Sequence, residues 1–174
     1  MFALFAAFGV TTLLAQAPAI SALQPLWTVK TGLTRPNSAY YHQQSNSIFV
    51  SNYSGGRFNK DGNGYITRLA PNGEVLAEKW ATGLNAPQGI RSVGSTIWVV
   101  DIEEIVGFEL TADGARPRSR IRIDGAHALN DLVTAPDGTI VPACSTMNSR
   151  RVPSRAPVAN TGLTSPIATG TSWI

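Results

Sequence analysis

The feature that most constrains this chain is an internal repeat. Thr31-Gly32-Leu33-Thr34-Arg35-Pro36 recurs as Thr82-Gly83-Leu84-Asn85-Ala86-Pro87, and the strand-like Ser47-Ile48-Phe49-Val50-Ser51-Asn52 recurs as Thr96-Ile97-Trp98-Val99-Val100-Asp101. A third echo, Thr139-Ile140-Val141, follows at similar spacing. Each unit closes on a hairpin signal, Asn72-Gly73 in the first and Asp113-Gly114 in the second, pairs that accept the positive φ of tight turns. The first unit reads as four short strands, at Ala39 to His42, Ile48 to Ser51, Tyr65 to Leu69 and Glu74 to Ala81. The second reads as Gly89 to Val93, Ile97 to Val100, Ile105 to Leu110 and Arg118 to Ile123, and a third unit opens near Asp131. Four antiparallel strands every 40 to 50 or so residues is the pattern of β-propeller blades, not of a sandwich.

Composition agrees with an all-β chain. Hydrophobic residues make up 43% and charged residues 14% of the 174 residues, and 16 glycines with 11 prolines punctuate strands and disfavour long helices. The net charge of +3 is local: all 11 acidic residues and 11 of the 14 basic ones precede Val141, so Arg150, Arg151 and Arg155 supply the excess. No nucleic-acid partner is expected from that distribution. Arg116, Arg118, Arg120 and Arg122 alternate, which places them on one face of a strand; a solvated outer strand is the favoured reading over a phosphate-binding stripe.

The ends differ from the middle. Residues 1–22, with the apolar run Phe2 to Leu14 and small residues after it, read as a secretory signal or an N-terminal apolar helix too short to span a bilayer. Cleavage after Ala17 or after Ala19 fits, and a secreted or periplasmic location follows. Residues 142–174 contain no acidic residue and four prolines. Pro142 is expected to interrupt the strand begun by Ile140-Val141, and the abrupt change favours a disordered, frameshifted or misread tail over a natural cap. The single Cys144 excludes an intrachain disulfide and a cysteine zinc site.

Pro36-Asn37-Ser38-Ala39-Tyr40-Tyr41, the segment from Gly73 to Asp101, and Leu129-Asn130-Asp131 through Gly138 resemble the superfamily of gluconolactonases, regucalcin (senescence marker protein) and luciferin-regenerating enzyme, in exported bacterial form. The resemblance implies a six-bladed propeller with a divalent cation, calcium, zinc or manganese, in its channel and hydrolysis of lactones or related sugar-derived substrates. Over residues 27–141 only about two and a half blades fit, approximately 31–81, 82–124 and an incomplete 125–141. A partial propeller follows, with open blade faces expected to drive self-association.

Strand direction gathers Asn37, Asn52, Gln88, Asp101, Asn130 and Asp131 on one edge, the channel mouth of a propeller, where two readings stand: a binding site, or ordinary turn chemistry. By the resemblance, Asn130 matches the family's metal-binding asparagine, while Asn37 occupies its glutamate position. A lactonase reading makes Asn130 and Asn37 the metal ligands and Asp131 or Asp101 the auxiliary acid. With two neutral amides for a hard cation that activity is expected to be lost, and the alternative is a non-catalytic interaction module. Asn59 to Ile66 imitates half of an EF-hand loop but has Ala70 at the twelfth position, so a polar β-loop is expected. His42 and His127 have no ligand spacing. No nucleophile elbow, Walker loop or dinucleotide fingerprint occurs. Asn52-Tyr53-Ser54 is a glycosylation sequon, meaningful only in a eukaryotic secretory pathway.

Overall fold

The computed structural model describes residues 23–144. Ten strands form three antiparallel sheets. The first contains β1 (Pro36–His42), β2 (Ser47–Asn52), β3 (Gly64–Leu69) and β4 (Val75–Leu84); the second contains β5 (Pro87–Val93), β6 (Thr96–Asp101), β7 (Glu104–Thr111) and β8 (Gly114–Arg122). Both are meanders in sequence order. The third is a hairpin of β9 (Leu129–Thr134) and β10 (Ile140–Cys144). The only helical element among the described residues is one 3₁₀ turn at Gln43–Ser45. None is long and apolar enough to cross a membrane.

The repeat in sequence is a repeat in register. Pro36 lies opposite Asn52, Pro87 opposite Asp101 and Leu129 opposite Cys144, and each first strand carries a bulge immediately after that residue. The lead-in to each first strand turns at a glycine in the left-handed region, Gly32 at φ 76°, Gly83 at 76° and Gly125 at 77°. A side chain there would cost conformational energy that glycine avoids. Asp124 to Leu129 is therefore a third lead-in, although only its glycine survives from the Thr-Gly-Leu-x-x-Pro form.

Successive first strands are neighbours, β1 beside β5 and β5 beside β9, so the sheets stack in order. Alternation along β6 shows why the second sheet is apolar on both faces. Ile97 and Val99 join Phe49, Ile66, Trp80, Leu84, Ile90 and Phe108 between the first and second sheets. Val100 joins Ile105, Leu129, Leu132 and Ile140 between the second and third, with Trp98 packed against them. A strand buried on both sides reads as a continuous apolar run, as Ile97-Trp98-Val99-Val100 does.

Three expectations change. Pro142 does not end its strand: β10 continues to Cys144, with Pro142 opposite Leu132. Within the described residues β10 has a neighbour on one side only, and proline, lacking an N–H, is tolerated at such an edge. Second, the first sheet does not present an open end face. The far face of the first sheet buries Val50, Tyr65, Thr67 and Leu69, and the chain ahead of β1 runs past it, with Thr67 Oγ1 donating to Gly32 O at 3.0 Å and Trp27 over Gly73. Third, the alternating arginines stand on β8, the outer strand of its sheet, with Arg116, Arg120 and Arg122 exposed as expected, but a bulge at Arg118 turns Arg116 to the opposite face from Arg120 and Arg122. Arg116 and Arg118 face Glu109, Arg120 pairs with Glu104, and Arg122 lies 2.7 Å from Glu103. The expected signal or helix at 1–22 and tail beyond Cys144 lie outside the described residues.

Candidate functional site

The edge singled out above resolves into two kinds of residue. Asn52 and Asp101 end the second strands of their sheets and are fully buried. Asn52 Oδ1 accepts Thr34 N at 3.0 Å, while its Nδ2 donates to Val50 O and Thr67 Oγ1. Asp101 accepts Asn85 N at 2.8 Å and Ala86 N at 2.7 Å. Each side chain thus satisfies backbone donors in the lead-in to its own first strand, of which Ala86 N is buried and Thr34 N and Asn85 N are part-buried. Burial pushes the Asp101 carboxyl above its ordinary value, and the two backbone donors, with Arg120, oppose the shift only in part. Its oxygens face backbone, so Asp101 is not placed to act on a substrate.

Asn37, Gln88 and Asn130 are the second residues of β1, β5 and β9. Their surroundings differ because β5 is covered on both sides. Asn37 and Asn130 are exposed, whereas Gln88 is buried, with Nε2 donating to Ala86 O and Oε1 without a partner among the described residues. Asn130 Oδ1 accepts a 2.8 Å bond from Arg57. Next to it, Asp131 Oδ2 is 3.1 Å from Arg91 Nη2, and its Oδ1 accepts Leu132 N. The carboxylate lies directly over Gly89, where a Cβ would come within 2.2 Å of Oδ1.

Arg57 belongs to the β2–β3 loop, the signal absent from the sequence reading. That loop arches over the edge of all three sheets. Arg57 reaches Asn130 in the third, Lys60 pairs with Glu103 at 2.8 Å in the second, and Gly62 N donates to Asn85 Oδ1 ahead of β5. Asp61 Oδ1 accepts Asn63 N in a local turn. The EF-hand-like segment is thus a strap between sheets, in keeping with the polar loop expected of it.

These residues do not fit a divalent cation. A metal at Asn130 would meet the Arg57 guanidinium on the same oxygen, and the carboxylate of the adjacent Asp131 is paired with Arg91. Like charges at such distances repel, and hard cations need several anionic oxygens. Among the described residues no three of His, Cys, Asp or Glu group together as metal ligands do. At the opposite end of the strands, His42 is buried and accepts Ser45 N on Nδ1, so its Nε2 carries the proton donated to Gly94 O. That imidazole joins the first two sheets, and His127 is exposed. Open grooves of about 490 and 340 Å³ flank this end, beside Tyr40 and His42 and beside Thr134 to Gly138 respectively. No protein-family model matches the chain, and no curated protein matches it.

Proposed function

We propose that the chain is a partial β-propeller of the gluconolactonase and regucalcin kind that serves as a non-catalytic binding module, not as a metal-dependent lactonase. The propeller part is supported by three sheets that repeat one register and place each first strand beside the next. The loss of catalysis is carried by one observation: Arg57 donates to Asn130, the residue that the family resemblance assigns to the metal. A guanidinium in that place supplies the charge a cation would bring and cannot polarise a carbonyl as a Lewis acid. Export to the periplasm or the exterior completes the reading, supported by the apolar run at Phe2 to Leu14.

The test is turnover of aldonolactones by the purified chain with calcium, zinc or manganese. No hydrolysis above background is expected. Turnover that chelator abolishes and Asn130→Ala removes would overturn the non-catalytic reading and restore the lactonase.

A further inference from the structure

Each junction between sheets is built from the same positions. Phe49 of β2 and its cross-strand partner Tyr40 pack into the interface with the second sheet. The equivalent Trp98 of β6 packs into the interface with the third. In the third sheet those positions are Val141 and its partner Val133, and Val133 is 57% exposed. The lead-in that follows each junction contributes too. Leu84, after Gly83, is fully buried between the first and second sheets, and Ala126, after Gly125, is buried between the second and third. The outer face of the β9–β10 hairpin is therefore half of a junction whose other half should contain a left-handed glycine followed by an apolar residue.

Beyond Cys144 the sequence holds a motif of that form. Thr161-Gly162-Leu163-Thr164-Ser165-Pro166 repeats Thr31-Gly32-Leu33-Thr34-Arg35-Pro36 with a single difference, Ser165 for Arg35. It begins 37 residues after Asp124, somewhat closer than the 51 and 42 residues that separate the earlier lead-ins. We propose that the outer face of β9–β10, around Val133 and Val141, is occupied by this chain's own segment Thr161–Pro166. Gly162 stands where Gly32, Gly83 and Gly125 take positive φ. Leu163 stands where Leu84 and Ala126 are buried. On this proposal Thr161–Pro166 belongs to the repeat and not to a misread tail. A second copy of the chain is the competing occupant, since an exposed apolar face with an open strand edge also invites association.

Hydrogen exchange on the full-length chain tests this, with Leu163→Asp, Gly162→Val and, on the face itself, Val133→Asp. In the unsubstituted chain, amides of 161–166 should exchange at least about tenfold more slowly than in the isolated peptide, as amides in a docked segment do. Each substitution should abolish that protection and speed exchange in β10, while β1 to β4 stay protected and report that the rest is folded. Free-peptide exchange at 161–166 in the unsubstituted chain would overturn the proposal. So would protection that disappears on dilution, which would make a second copy the occupant.

Discussion

Asp101 does for the second sheet what Asn52 does for the first. Asn52 Oδ1 takes Thr34 N and Asp101 Oδ2 takes Asn85 N, at equivalent places in the repeat. Asp101 also takes Ala86 N, where Asn52 spends its other end on Val50 O and Thr67 Oγ1. An amide and a carboxylate solve one backbone problem in two ways.

Asp101→Ala should therefore destabilise the chain by about 2 to 4 kcal/mol, because one buried and one part-buried backbone donor lose their acceptor. Asp101→Asn should cost less, since one acceptor remains. Chemical denaturation measures both, and equal losses would remove the capping role.

The same residue gives a pH dependence of defined sign. Burial raises the folded-state pKa of Asp101, so its contribution is fully present below the ordinary aspartate range, about pH 4, and declines as pH rises through the raised value. Stability profiles of the unsubstituted chain and of Asp101→Asn should diverge upward from about pH 4, with the difference favouring the unsubstituted chain least at neutral pH. Parallel profiles would contradict this.

Glu103 behaves in the opposite sense. The Lys60 hydrogen bond, aided by Arg122, holds its carboxyl below the usual glutamate range. Its contribution is present above that range and is lost as pH falls through the lowered value. Glu103→Gln should cost no more than about 1 kcal/mol, as an exposed partner allows, yet it should free the strap. Limited proteolysis after Arg57 and Lys60 reads this directly, with faster cleavage expected in the variant.

Trp80 wedges between Phe49, 4.7 Å away by ring centroids, and Phe108, 6.2 Å away on the second sheet. Trp80→Ala should cost about 3 to 5 kcal/mol, enough to unfold much of a marginally stable chain. Trp80→Phe should cost far less, because it keeps an aromatic ring in the gap and removes the indole N–H, which is buried without a partner among the described residues. Thermal melts followed by circular dichroism compare the two.

Export predicts loss of roughly 17 to 22 residues from protein made in a bacterial host, the span of the small-residue cleavage sites. Intact-mass spectrometry of the periplasmic fraction checks it; a full N-terminus recovered only from the cytosol would contradict it.

The strands of the first two sheets were legible because their hydrophobic pattern repeats and their turns carry Asn-Gly or Asp-Gly. The third lead-in was not, since Asp124 to Leu129 keeps the backbone of the motif and discards its side chains except for Gly125. The candidate site was legible as a set of positions but not as a set of roles. Whether Asn130 meets a cation or an arginine depends on Arg57, which lies 73 residues away in sequence and arrives by a loop with no periodicity of its own. Pro142 misled for a related reason: its effect depends on which side of the strand is paired, and that is a property of the sheet, not of the residue.

The strap between β2 and β3 makes the three sheets unequal in inheritance. By sequence it belongs to the first sheet, but its bonds run to Asn85, Glu103 and Asn130, so it works only if a second and a third sheet follow in that order. Tandem duplication of the second sheet would set the third beyond the reach of Arg57, and circular permutation that moved the first sheet to the end would strand the loop at the wrong border. A chain assembled from repeats has thereby become one whose units can no longer be shuffled.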